Sequence, residues 1–183
     1  VNTINAEENG CFMLAHQHII KAEAFSSFTT RYYSLIPTAR APSMLISGIP
    51  RHRIKDTTPI EDTQAKIAAV GRLHGWILDT ATGLGYTAIL AAQTAEQVIT
   101  IELDPVVLTI CRMNPWSAEL FTNPKIHQLI GDSGDLAIAF PDESFSAIIH
   151  DPPTFSLAGN LYSTAVYQAF HRLLKPNGRL FHY

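Results

Sequence analysis

The chain has 183 residues, 46% of them hydrophobic and 16% charged, with a net charge of −3. That is one domain's worth of sequence with enough apolar content for a core, which excludes a disordered segment, and its negative balance argues against tight non-specific nucleic-acid binding. No apolar run approaches the roughly 18 residues needed to span a bilayer, the polar, acidic start does not read as a secretory signal, and two distant cysteines, Cys11 and Cys111, suggest reduced thiols in a cytoplasmic protein.

Residues 11–28 read as an amphipathic helix from the loose spacing of Phe12, Leu14, Ile19, Ile20 and Phe25. Within it, His16-x-His18 invites a metal reading, but no further ligands follow at zinc spacing, so no metal is expected. YYSLIP (32–37) and SMLISGI (43–49) read as short strands on either side of a turn at Ala41–Pro42. The expected product is a small N-terminal β-rich appendage over 1–55. Between Glu23 and Asp56 there is no acid, yet Arg31, Arg40, Arg51, Arg53 and Lys55 are interleaved with Phe25, Phe28, Tyr32 and Tyr33. That mixture suits single-stranded nucleic acid, such as an RNA substrate held by the 31–55 stretch, and it also suits a solvated basic edge.

From 56 to 183 the pattern alternates strictly. Thr58-Pro59-Ile60-Glu61 is a capping box with Pro at the first helical position, opening a helix to Val70 that Gly71 closes. Strand Trp76–Asp79, helix Tyr86–Gln93, strand Gln97–Glu102 and helix Val106–Met113 follow, the last capped by Asp104-Pro105. Asn114-Pro115-Trp116-Ser117 interrupts before a short helix to Phe121. Then come strand Lys125–Ile130, a short helix near Leu136–Phe140, strand Ala147–Asp151, helix Tyr162–Leu174 and a fifth strand, Arg179–Tyr183. Such alternation predicts an α/β fold with a doubly wound, mostly parallel sheet and right-handed crossovers. The chain has no initiator Met and stops inside the fifth strand, so it reads as C-terminally incomplete. That strand is expected to leave an exposed edge prone to self-association.

In a sheet of this kind ligands lie beyond the C-terminal strand ends. The organising stretch is WILDTATGLGYT (76–87), a strand running into a glycine loop and a helix. Gly83-x-Gly85-x-x-Ala88, with Glu102 downstream, formally matches a dinucleotide fingerprint. Asp79 argues otherwise: a carboxylate beside the loop repels a pyrophosphate and attracts the sulfonium and ammonium of S-adenosyl-L-methionine. Asp79, Glu102, Asp132 and Asp151 all fall at strand ends. Glu102 can accept both ribose hydroxyls, Leu103 can pack on adenine, and Asp132, before Ser133, can accept the adenine amino group. In His150-Asp151-Pro152-Pro153-Thr154-Phe155, two prolines stiffen a loop and present their carbonyls. Asp151 and the Pro152 carbonyl can hold an amine or ring nitrogen, and Phe155 can stack on a planar substrate.

Asp79-x-x-Thr82-Gly83-x-Gly85-x-Thr87 resembles motif I of the class I SAM-dependent methyltransferases. The resemblance implies a Rossmann-like fold, with the donor held by Asp79, Thr80, Thr82, Gly83, Gly85, Tyr86 and Thr87 together with Glu102, Leu103, Asp132 and Ser133. Asp151-Pro152-Pro153 resembles motif IV of amino- and base-methyltransferases, with its aromatic, Phe155, one place later than in the [N/D]-P-P-aromatic form. The longer run of GIPRHR, LDTATGLGYTAI, NPWS, PDESF, HDPPTFSLAGNLYS and LLKPNGRLFHY is similar to an archaeal-type methyltransferase group with a D-P-P-x-F motif IV, over residues 48–183. Methyl transfer to a nitrogen or ring position of a planar acceptor such as an RNA base is the implied activity. The rivals are aminopropyl transfer of the spermidine synthase kind, which shares the fold, and a non-catalytic SAM- or RNA-binding fragment.

Overall fold

The computed structural model describes residues 9–15 and 17–183; His16 lies outside them. Two antiparallel sheets come first. Phe12–Ala15 (β1) pairs with His18–Lys21 (β2). Glu23–Ser26 (β3), Arg31–Ile36 (β4), Ser43–Ile46 (β5) and Ile49–Pro50 (β6) form a four-stranded sheet in that order. The helix expected over 11–28 is therefore replaced by strands. A helix there would need one buried face, but Leu14 is 76% exposed and Ile19 and Ile20 are also exposed. Pairing between strands wins instead, because it ties in the backbone: Ala22 N donates to Cys11 O and Leu35 N to Ala22 O, each at 2.8 Å. SMLISGI also divides. Ser47 (φ 48°) and Gly48 (φ 88°) make a tight turn between Ile46 and Ile49, which are register partners.

Pro59–Val70 (α1) begins on the expected capping box: Glu61 N donates to Thr58 Oγ1 at 3.3 Å, and Thr58 N to Glu61 Oε2 at 2.9 Å. Trp76–Asp79 (β7), Tyr86–Ala92 (α2), Gln97–Glu102 (β8), Pro105–Arg112 (α3), Ala118–Thr122 (α4) and Ile126–Ile130 (β9) follow. Ser133–Ala137 (α5), Phe145–His150 (β10), Phe155–Ala158 (α6), Thr164–Leu173 (α7) and Leu174–His182 (β11) complete the chain. The five strands are parallel in the order β11-β10-β7-β8-β9, the doubly wound α/β sheet the alternation predicts. Helix α5 starts earlier than expected because Asp132 Oδ1 accepts from Gly134 N (2.7 Å) and Asp135 N (3.3 Å), capping it. Lys175–Gly178 does not precede the last strand but lies inside it, as a register shift between Phe145↔Leu174 and Ala147↔Arg179.

Both faces of β7 are covered, with Ile77 and Leu78 wholly buried. One core joins Tyr33, Leu35, Met44 and Ile46 of the four-stranded sheet to Leu84, Tyr86 and Val107 of the α/β unit. A second packs Leu78 and Ile148 against Phe170 and Leu173 of α7. No helix among the described residues is long and apolar enough to cross a membrane. The shared core brings the N-terminal sheet against the C-terminal ends of β7 and β8, where the site lies.

Candidate cofactor and acceptor site

A cavity of about 260 Å³ opens at those strand ends. Thr80, Gly83, Glu102, Leu103, Asp132 and Ser133, all expected to touch a cofactor, line it. Glu102 is fixed at both oxygens by backbone amides: Gly83 N donates to Oε2 and Asp104 N to Oε1, each at 3.0 Å. Burial pushes its carboxyl up to about 7, against the lowering pull of those amides and of Arg51. Ser133 Oγ donates to the Thr80 carbonyl, so the loops after β7 and β9 are stitched together beneath the cavity.

The other loop residues expected to touch the cofactor do not line this cavity. Asp79 is wholly buried behind the lining. Its Oδ2 accepts from Thr100 Oγ1 at 2.7 Å, while its Oδ1 has no hydrogen-bond donor among the described residues. Burial raises Asp79 to about 6. Thr82 bonds side chain to side chain with Thr100 at 2.6 Å. Tyr86 is turned away: its hydroxyl donates to Pro42 O at 2.9 Å and accepts from Asn114 Nδ2 at 2.8 Å. Gly85 (φ 78°) sits where a Cβ would come within 2.9 Å of Leu120. Thr87, one residue into α2, is half-buried and not part of the cavity wall.

A second cavity, of about 250 Å³, adjoins the first and is lined by Asp151, Pro152, Pro153 and Tyr162, with Ile46, Ile49 and Tyr183. Here the structure corrects two expectations. Phe155 is 69% exposed and belongs to neither wall; its ring leans on Tyr162 (centroids 5.6 Å apart), and Tyr162 and Tyr183 supply the aromatic surface instead. The displaced aromatic opens α6, whose start carries it outward. Asp151 is not an unpaired acid waiting for an amine. Lys66 Nζ lies 2.9 Å from its Oδ2 and 2.9 Å from Asp62 Oδ2, and Arg51 Nη1 approaches Oδ2 at 3.5 Å. Burial raises the Asp151 carboxyl, but Arg51 and Lys66 outweigh it and hold the group below its ordinary range.

His150, just before Asp151, is a buried strut. Its Nε2 lies 3.0 Å from the Leu161 carbonyl, which can only accept, so Nε2 carries the proton and Nδ1 accepts from Thr80 Oγ1 at 2.7 Å. Burial lowers this imidazole to about 4, keeping it neutral.

The family model described as a methyltransferase domain matches residues 77–178, more than half of the chain. The chain belongs to that methyltransferase-domain family. An uncharacterised protein of Methanocaldococcus jannaschii is 48% identical over 172 residues, covering 92% of this chain and 59% of that protein. A polyamine aminopropyltransferase of Mycobacterium tuberculosis is 32% identical over 108 residues, covering 56% of this chain and 21% of that enzyme. The chain thus spans 59% and 21% of the length of these two relatives, less than two thirds of either. Among solved structures, spermidine synthase from Thermotoga maritima superposes with a TM-score of 0.66 at 16% identity, covering 91% of this chain and 59% of that one, a likeness of fold.

Several residues of this methyltransferase domain's site were not singled out by sequence reasoning. Arg31 and Arg51 line the first cavity, although the sequence shows them only as members of a basic stretch. Arg31 Nη2 donates to Leu157 O at 2.5 Å across the wall. Asp104, read as a helix cap, caps α3 at Val106 N (3.0 Å) and also accepts from Tyr33 OH (2.9 Å) and Thr29 Oγ1 (2.5 Å). The sequence signal for Arg51 was its place in GIPRHR.

Proposed function

We propose that the chain is an S-adenosylmethionine-dependent methyltransferase acting on a nitrogen or ring position of a planar acceptor such as an RNA base. Glu102 carries the reading. Its carboxylate is held by the Gly83 and Asp104 amides at the wall of the donor cavity. Each carboxylate oxygen has a second lone pair, so both can still accept ribose hydroxyls. The residues fit the donor on two further counts. Asp79 Oδ1 is a buried acceptor lacking a donor, suited to an ammonium. Gly83 has no side chain where one would crowd Arg51, 3.3 Å away. When bound, the donor supplies an electrophilic methyl on sulfur. Glu102 and Leu103 would hold its nucleoside, with Asp132 and Ser133 at the far wall.

Asp151, kept ionised by Arg51 and Lys66, is a weak base, so the residues around it orient an acceptor rather than take its proton. The apolar, aromatic wall of the second cavity favours a flat, neutral acceptor. Support for RNA comes from the N-terminal sheet. Phe25 and Tyr32 are register partners and both exposed, and Arg40, Arg53 and Lys55 are exposed nearby in sequence.

Aminopropyl transfer is the second reading, favoured by the aminopropyltransferase relative. It needs acids to hold polyamine ammoniums, and the acid of the second cavity is already neutralised by Lys66 and Arg51. A donor- or RNA-binding module without catalysis is the third. Calorimetry with S-adenosylmethionine and NAD, followed by tritiated-donor labelling of RNA, protein and small-molecule fractions, separates them. The expected result is binding of the sulfonium donor alone and label in RNA. NAD binding without donor binding would overturn the assignment, and donor binding without label in any fraction would leave only the binding module.

A further inference from the structure

We infer that Arg51 reads the α-carboxylate of the donor, and so makes this site select S-adenosylmethionine over its decarboxylated form. The inference rests on the donor assignment above.

Arg51 is delivered to the site by the N-terminal sheet. The Ser47-Gly48 turn reverses the chain, Arg51 N donates to Met44 O at 2.8 Å, and His52 Nδ1 pairs with Ser43 Oγ at 3.1 Å. The guanidinium borders both cavities. Its Nε stands 3.3 Å from where a Cβ on Gly83 would be, which puts it beside the glycine loop at the tail end of the donor. Arg31 also lines the first cavity, but its Nη2 donates to the Leu157 carbonyl at 2.5 Å.

Three observations give Arg51 spare capacity for a second anion. A guanidinium carries N–H donors in a fork that matches a carboxylate. Among the described residues, Arg51 uses Nη1, at a long 3.5 Å from Asp151 Oδ2, and Nη2, to the Asp151 carbonyl, while Nε–H makes no hydrogen bond. Asp151 would not be stranded if Arg51 were shared, because Lys66 remains 2.9 Å from the same oxygen. Lys66 itself is buried and committed to Asp62 and Asp151 and lines neither cavity, so it does not compete.

Charge then separates the two donors. S-adenosylmethionine brings a sulfonium, an ammonium and a carboxylate; the carboxylate can meet Arg51 while the cations face the acids. The decarboxylated donor brings two positive charges and nothing for the guanidinium. A buried like-charge approach is costly. Because aminopropyl transfer requires the decarboxylated donor, the same arginine biases the site against that reaction.

The test uses calorimetry on the whole chain with S-adenosylhomocysteine, its decarboxylated analogue and 5′-methylthioadenosine, which lacks the amino-acid tail. The wild-type chain should bind S-adenosylhomocysteine at least about tenfold more tightly than the decarboxylated analogue, the scale of one charge-assisted pair. In Arg51→Gln that preference should shrink to within about threefold while 5′-methylthioadenosine binds as before. Arg51→Lys should retain part of it, since a point charge replaces a fork. A preference that survives Arg51→Gln, or disappears in Arg31→Gln instead, overturns the inference. An equal loss for all three ligands in Arg51→Gln also overturns it, since that marks a structural role. A wild-type chain that binds the nucleosides but prefers the decarboxylated one refutes Arg51 selection alone. A wild-type chain that binds none of them refutes the donor assignment and this inference with it.

Discussion

Glu102 and Asp79 are carboxyls whose burial raises them to about 7 and about 6, from ordinary values of 4.5 and 3.8. Between its ordinary and its raised value, each folded group keeps a proton that the unfolded chain has lost. Their contribution to stability is therefore present below the ordinary values and falls as pH rises through roughly 4 to 7. A bound donor reverses the preference, because an ammonium near Asp79 and ribose hydroxyls on Glu102 favour the ionised forms. Donor binding between pH 6 and 7 is accordingly expected to release protons. Calorimetry in buffers of differing ionisation enthalpy measures this, and Glu102→Gln should reduce the release. Proton uptake, or none exchanged, would mean that the ligand does not engage these carboxyls.

The junction of β7 and α2 shows how a short element is set by backbone conformation and packing together. Gly85 takes φ 78°, and a Cβ there would lie 2.9 Å from the fully buried Leu120. Gly48 has a similar φ of 88°, but nothing lies within 4 Å of its would-be Cβ. Gly48→Ala should cost only the left-handed strain, about 1–2 kcal/mol. Gly85→Ala adds overpacking, for a total of about 2–5 kcal/mol. Denaturant melts of the two variants read the difference. Equal losses would show that Leu120 repacks without penalty.

At the scale of the whole sheet, β11 is its end strand and, among the described residues, pairs with β10 alone. Helix α1 is tied to it, with Arg179 Nη1 donating to Val70 O at 2.9 Å and Lys66 Nζ 3.8 Å from the Tyr183 ring centroid. Among the described residues the outer backbone edge of β11 has no strand partner, and Leu180 is 38% exposed. An exposed edge strand can template pairing with another chain, here through Leu180 and Phe181 beside Lys175, Pro176 and Arg179. The chain is expected to self-associate as its concentration rises, and Leu180→Lys should return it to monomer, as edge lysines do. Size-exclusion chromatography with light scattering decides. A wild-type chain that stays monomeric at every concentration measured would show that the edge is protected.

Strand and helix order, the capping box at Thr58, the glycine loop and Glu102 were legible in the sequence, because each depends on local chemistry: periodicity, a hydroxyl three residues from a glutamate, a backbone needing φ above zero. Strands β1 to β3 were not, since Leu14, Ile19 and Ile20 have no buried face and only pairing between strands chooses their conformation. Nor were the partners of Asp151. Lys66 sits 85 residues away and Arg51 100 residues away, and no spacing rule links such positions. Phe155 and Tyr162 exchanged places for the same reason: the motif supplies an aromatic, but the start of α6 decides which ring faces the cavity. The sequence by itself determined the sheet, the loop and the acids at the strand ends. The tertiary structure alone decided which cations meet those acids, because burial makes every charge find its partner in space rather than along the chain.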